Sequence, residues 1–273
     1  MIIDCHCHAG EGDGLTGPWN TRAPLRQYLR RARAAGIDRV NLIPAFHTDY
    51  RRANRALGRL VLAGRGRFTG FAAVHAGADS GRVRSMLEEA MREWGACGVK
   101  VHRHDARLAR EVADAARALR LPILYDVVGE VAPLEVIATE YRDVAFIVPH
   151  LGSFADDWKA QVQVLDHLQR HPNVFTETSG VRRFDLLLGA LRRGGPDKVL
   201  FGSDGPWLHP VVELAKIQIL RLSPQARARV LAGNFLRLTR AARRRAGHPV
   251  ADTPPAESRS HHDRRETRMS CPP

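Results

Sequence analysis

Short apolar, β-branched runs alternate along the chain with longer stretches whose apolar residues recur every three or four positions. Runs of the first kind predict buried strands, and stretches of the second kind predict amphipathic helices. The candidate strands are Met1–His8, Arg39–Pro44, Phe68–His75, Gly98–His102, Leu121–Val128, Val144–His150, Asn173–Ser179 and Lys198–Ser203. Helical spacing appears between them at Leu25, Leu29 and Ala32, at Val83, Leu87 and Met91, and over Asp157–Arg170 and Phe184–Arg192. Such alternation predicts parallel βαβ units. Eight strands with intervening helices select an α/β fold of the closed (β/α)8 TIM-barrel type over an open sheet. Ser223–Arg245 predicts one or two closing helices, with a break near Gly233-Asn234.

Length agrees with this pattern, because 273 residues is close to the roughly 250 of one such barrel. An apolar fraction of 44% supplies a sizeable core. From Gly247 onward the chain turns to Pro, Ser, Arg, His and Asp with almost no large apolar residue. Such a segment cannot bury a core of its own. The expected organisation is a barrel over residues 1–246 and a disordered basic tail over 247–273. His261 and His262 fall in that tail and carry no expected role.

The net charge is +13, from 42 Lys and Arg against 29 Asp and Glu. The arginines are spread over many helical stretches, such as Arg30, Arg31 and Arg33, Arg51, Arg52 and Arg55, and Arg227 and Arg229. That distribution predicts solvated helix faces and no nucleic-acid partner, while the field would attract an anionic small molecule. No basic leader with an apolar stretch opens the sequence, and no apolar run spans a bilayer. A soluble cytoplasmic protein without a membrane partner is expected. The four cysteines, at 5, 7, 97 and 271, do not make a disulfide framework in a chain this long, which fits a reducing compartment.

A parallel barrel builds its active site at the C-terminal ends of the strands. Polar residues recur there: His6 and His8 on the first strand, Lys100 and His102 on the fourth, Asp126 on the fifth, His150 on the sixth, Glu177 on the seventh and Asp204 after the eighth. Side chains alternate along a strand. Asp4, His6 and His8 therefore share one face, with Cys5 and Cys7 on the other. Two imidazoles on the lumen face predict a metal site, with hydrogen-bonded core histidines as the alternative. A Cys-His-Cys-His knuckle fails, because consecutive strand residues cannot converge on one ion. Asp204 closes an apolar strand at a Gly-Pro turn, where it would ligate the ion and accept a proton from water, or else cap the turn. His150 ends its strand similarly and is a candidate ligand or general acid/base, with a satisfied core histidine as the alternative.

Taken in order, these fragments resemble the amidohydrolase superfamily, and within it the amidohydrolase-2 group of aminocarboxymuconate-semialdehyde decarboxylase-like enzymes. The matching stretches are Ile3-Asp4-Cys5-His6-Cys7-His8, Gly98-Val-Lys100-Val-His102, Pro149-His150-Leu-Gly152, Asn173-Val-Phe-Thr-Glu-Thr-Ser179-Gly180 and Val199-Leu-Phe-Gly-Ser-Asp204-Gly-Pro206. Val230-Leu-Ala-Gly-Asn234-Phe-Leu-Arg-Leu238 resembles the group's closing helix, so the likeness covers roughly residues 1–242. The resemblance implies that His6 and His8 bind a divalent metal, usually zinc. It implies that Asp204 is a ligand and general base, and that His150 sits beside the metal and activates substrate or water. Barrels of this group often form homodimers.

The sequence departs from the group at the fifth strand, where Leu121-Pro-Ile-Leu-Tyr-Asp126 carries Asp in place of the usual His. Asp126 is therefore a ligand favouring a harder ion such as manganese, or the mark of a weakened or absent metal, or a structural residue. Lys100 and His102 are expected to contact substrate; a carbamylated, metal-bridging Lys100 is the alternative. Trp19, in a Gly-rich loop after the first strand, and Trp207, just past Asp204, are further substrate contacts, and His209 is a weaker one. Glu177 either supports the site or satisfies a neighbouring cation, and His47 and His75 read as loop polarity. The leading expectation is a metal-dependent hydrolase of a small carbonyl compound, using metal-activated water with Asp204 as base. The alternatives are a non-oxidative decarboxylase on the same site and a catalytically inert barrel that acts as a binding protein.

Overall fold

The computed structural model describes residues 1–14, 22–154 and 157–245. Trp19 and the tail expected over 247–273 lie outside the described residues. The strands are, in chain order, β1 (Ile3–Glu11), β2 (Arg22–Ala23), β3 (Arg39–Pro44), β4 (Phe68–Gly70), β5 (Ala72–Ala73), β6 (Val99–His102), β7 (Ile123–Asp126), β8 (Phe146–Val148), β9 (Val174–Glu177) and β10 (Val199–Leu200). The helices are α1 (Leu25–Ala34), α2 (Tyr50–Ala63), α3 (Val83–Trp94), α4 (Arg110–Leu119), α5 (Ala132–Glu140), α6 (Trp158–Arg170), α7 (Phe184–Gly194), α8 (Pro210–Ile219), α9 (Pro224–Ala228) and α10 (Asn234–Arg245).

Backbone pairing gives one run in the order β2-β1-β3-β4 and another in the order β10-β9-β8-β7-β6-β5. Two seams join them. The single expected third strand is split at Phe71, so that Phe71 N donates to Leu42 O at 3.0 Å and Ala72 N to Gly98 O at 3.0 Å. β4 thus extends one run and β5 the other. Across the second seam Cys5 N donates to Phe201 O at 3.0 Å and His8 N to Gly205 O at 2.6 Å, and Cys7 forms a parallel bridge to Gly205. Eight parallel strands therefore close into a barrel, as the alternation predicts. β2 is an addition, paired antiparallel with the end of β1 through Gly10 and Ala23.

The strands form because their Val, Ile, Leu and Phe residues are buried on both faces, one against the barrel interior and the other against the helices. Two of the helices start where an aspartate side chain satisfies free amides: Asp49 accepts from Arg52 N ahead of α2, and Asp157 from Lys159 N and Ala160 N ahead of α6. The expected break near Gly233-Asn234 takes another form. Arg229–Gly233 is a π-helical turn that runs on into α10. Buried Asn234 explains the register: its Nδ2 donates to Pro196 O at 2.7 Å and to Val199 O at 2.8 Å, tying α10 to the start of β10. Among the described residues, no helix is long and apolar enough to cross a membrane.

Candidate active site

β1 brings its two histidines together. His6 Nε2 and His8 Nε2 lie 3.3 Å apart, and Asp204 Oδ1 is 3.5 Å from the first and 3.6 Å from the second. The outer nitrogens define the tautomers. His6 Nδ1 lies 3.1 Å from Glu177 Oε1, and His8 Nδ1 lies 2.9 Å from Pro44 O. A carboxylate and a carbonyl only accept, so both Nδ1 atoms carry the hydrogen. Both Nε2 atoms are then bare lone pairs facing a carboxylate oxygen. Three acceptors converge with no donor between them. Their separations match the edge, about 3.4 Å, of a tetrahedron of ligands at roughly 2.1 Å from a metal. The donor set fits a divalent cation.

Asp4 is not part of that face. The pairing of β1 with β3 shifts from Asp4 opposite Val40 to Cys7 opposite Leu42, three residues against two. This bulge breaks the simple alternation that would put Asp4 beside His6 and His8. Asp4 Oδ2 instead accepts from Tyr28 Oη on α1 and from Ser203 Oγ, the latter at 2.5 Å. Asp4 Oδ1 accepts from Ser203 N at 2.9 Å. Burial raises the Asp4 carboxyl to about 6 against the lowering effect of these bonds. Asp4 thereby ties β1 to the residue before Asp204. Tyr28 packs directly on Gly205, where an added Cβ would stand 2.2 Å from its ring. Asp204 itself has φ 51°, a left-handed conformation that an L-residue keeps only when its surroundings impose it.

His150 is the second residue held this way, with φ 58°, and Leu151 follows with φ 51°. His150 Nδ1 lies 2.8 Å from Ser179 O, which turns its Nε2 toward Asp126 Oδ2 at 3.7 Å. Burial alone would lower this imidazole, but Glu177, Asp204 and Asp126 outweigh it and raise it above its ordinary value. Glu177 is the hub beneath these rings. It is fully buried and bonds to His6, to Ser179 N at 2.7 Å, to Ser179 Oγ at 2.6 Å and to His150 N at 3.2 Å. Burial opposes its charge, yet the His6 hydrogen bond and its other partners pull it down to about 2. His6, His150 and Glu177 also bring donor atoms within 4.8 Å of one another.

Asp126 stands outside the His6, His8 and Asp204 group. Its Oδ2 lies 3.1 Å from His102 Nε2. His102 Nδ1 accepts from His104 N at 3.1 Å, so the hydrogen is on Nε2 and points to Asp126. Burial would raise Asp126, but His102 and then Lys100 and His150 hold it well below its ordinary value. Lys100 lies beside this pair. Its Nζ is buried and makes no hydrogen bond. Burial lowers its pKa, partly offset by Asp126, Asp204 and Glu177. Lys100, His102 and His8 line a small cavity with Phe46 and Tyr50. Asp204 is the reverse of Asp126: burial lifts it to about 7 despite His150 and Lys100 nearby.

Trp207 is half-buried, with its ring centroid 4.5 Å from that of His8. Phe46, absent from the sequence-based candidates, lies near-parallel to His8 at 5.9 Å and edge-on to His102 at 4.7 Å. Its one local signal is an aromatic residue two positions past the end of β3, in Pro44-Ala-Phe46. Ser179 and Tyr28 also escape sequence reading, because each acts through a partner distant in the chain. His47 and His75 accept backbone N–H groups in their own loops, and His209 caps α8. Arginines near the strand ends are ion-paired: Arg103 and Arg107 with Glu130, Arg51 and Arg55 with Glu89.

The family model described as amidohydrolase matches residues 3–240. No curated protein matches. Among solved structures, 5-carboxyvanillate decarboxylase from Sphingomonas paucimobilis superposes with a TM-score of 0.69 at 16% identity, covering 88% of this chain and 98% of that one. A candidate 2-pyrone-4,6-dicarboxylic acid hydrolase from Pseudomonas putida gives 0.68 at 18% identity, covering 88% and 97%. A dihydroxybenzoic acid decarboxylase from Polaromonas, solved with manganese and 2-nitroresorcinol, gives 0.65 at 17% identity, covering 90% and 98%. At such identities the likeness establishes the fold, and the chemistry rests on the site.

Proposed function

Because the chain belongs to the amidohydrolase family, with the match over residues 3–240, we propose that it is a metal-dependent hydrolase of a small, anionic, carbonyl-containing substrate. The observation that carries this reading is the convergence of His6 Nε2, His8 Nε2 and Asp204 Oδ1 within 3.3–3.6 Å. These three residues would hold the ion, zinc by its His-rich donor set, with manganese as the alternative. Such an ion, when bound, lowers the pKa of water and polarises a carbonyl as a Lewis acid.

The chain's own groups supply the rest. Asp204, one of the residues that would hold the ion, is also the base placed to take a proton from the attacking water. His150, oriented by Ser179 O, donates to the carbonyl oxygen or the leaving group. Lys100 brings a buried amine without a hydrogen bond, which a substrate carboxylate would satisfy. The Phe46 and Trp207 rings, at a 19° interplanar angle, form a wall suited to a flat substrate, and Trp19 remains a candidate contact. Asp126 serves in this reading by holding His102, and not as a ligand.

One observation favours decarboxylation on the same residues. His150, raised above its ordinary value by Glu177, Asp204 and Asp126, also holds a proton that it can give to a ring carbon as CO2 departs. Assay of the metal-loaded protein with 2-pyrone dicarboxylates and hydroxybenzoates in labelled water separates the two. Incorporation of label into an opened ring supports hydrolysis, and release of CO2 without incorporation overturns it.

A further inference from the structure

Away from the barrel mouth, Glu135, His167 and His171 bring one donor atom each within 4.8 Å of one another. Glu135 lies on α5. His167 is in the last turn of α6, and His171 directly follows that helix. The four-residue spacing sets the two imidazoles on one side of the helix end. His171 Nε2 is 3.1 Å from Glu135 Oε1, and His167 Nδ1 is 3.7 Å from Glu135 Oε2. Both values bracket the edge of about 3.4 Å between ligands of a tetrahedral metal.

Two further observations point to a cation there. His167 and His171 are only 5% and 9% exposed, and the Nε2 of His171 is buried against the Glu135 carboxylate. Arg170 already places positive charge in the notch: its Nη2 lies 2.7 Å from Glu135 Oε2 and 3.2 Å from His167 Nδ1. That guanidinium is tethered by a side chain 55% exposed, so it can swing into solvent and leave both donors free.

We propose that Glu135, His167 and His171 form a second divalent-metal site of the zinc class, with Arg170 as the competing internal cation and the remaining position open to water. It lies just ahead of β9, on the side of the barrel opposite the strand C-termini, and it clasps α5 to α6. Its role is structural, because it joins the two helices.

The test uses the full chain, stripped by chelation and titrated with Co2+ by calorimetry and visible absorption. Wild type is expected to take up two equivalents, one of which survives in a His6→Ala/His8→Ala variant and is lost in His167→Ala/His171→Ala. In the His6→Ala/His8→Ala background, Co2+ should raise the thermal midpoint, and adding Glu135→Gln should abolish that rise. Arg170→Ala should tighten this equivalent by removing its competitor. Equal uptake by wild type and His167→Ala/His171→Ala overturns the proposal. If that double variant does not fold, equal uptake by wild type and Glu135→Gln does the same.

Discussion

Glu177 Oε1 stands 3.1 Å from His6 Nδ1, and this contact leaves the opposite nitrogen of His6 bare toward His8 and Asp204. A ligating histidine whose other ring nitrogen donates to a carboxylate is locked in tautomer and orientation. Glu177→Gln keeps the volume but allows the amide to turn its NH2 toward the ring. Metal affinity should fall roughly 10–100-fold, read by competition with a chromophoric chelator. Unchanged affinity would show that the ring is fixed by packing alone.

Asp204 predicts a pH dependence whose sign is opposite to that of a salt-bridged carboxylate. Its pKa in the metal-free fold is about 7, above the ordinary 3.8. Between these values the folded chain holds a proton that the unfolded chain has released. The stability contributed by Asp204 is thus full at low pH and is lost as pH rises through about 7. Thermal midpoints of metal-free wild type and Asp204→Asn, measured across this range, should show the wild type losing ground with rising pH. Metal binding needs the ionised carboxylate, so affinity should strengthen over the same interval. A pH-independent gap between the two proteins would sink this account.

His150 and Asp126 should separate from the metal ligands in a content assay. His150→Gln and Asp126→Asn are each expected to retain the metal that His6→Ala loses, because neither residue belongs to the His6, His8 and Asp204 group. Turnover by His150→Gln should drop by about 10²–10⁴, the usual worth of a positioned acid or base. Metal analysis and steady-state kinetics on the same preparations decide the point, and loss of metal from Asp126→Asn would restore that residue as a ligand.

Gly202 leaves the space that Glu177 needs. A Cβ at this position would fall 2.1 Å from Glu177 Oε2 and 3.1 Å from His6 Cβ. Gly202→Ala must push a fully bonded, buried carboxylate aside. It should cost about 1–3 kcal/mol of stability, as overpacking does, and weaken metal binding with it. Denaturant unfolding with and without metal measures both, and a variant as stable as wild type would contradict the close approach.

Much of the fold was legible along the chain. The eight apolar runs mark the eight barrel strands, because a strand covered on both faces must be apolar throughout and its neighbours must be helices. His6, His8, His150 and Asp204 could be picked out for the same reason: polar residues at the ends of such runs require a purpose. The roles of Asp4 and Asp126 could not be read so directly. Alternation assigns Asp4 to the metal face, but a bulge set by pairing with β3 turns it to Tyr28. Asp126 ends its strand as the histidines do, and its 3.1 Å contact with His102 on the neighbouring strand appears only once β6 and β7 are paired. Glu177 and Phe46 acquire meaning only beside residues far off in the chain. The sequence determined periodicity, and with it strand, helix and the residues at strand ends. Tertiary structure decided tautomer, orientation and charge state, because these depend on contacts between strands that no local pattern encodes.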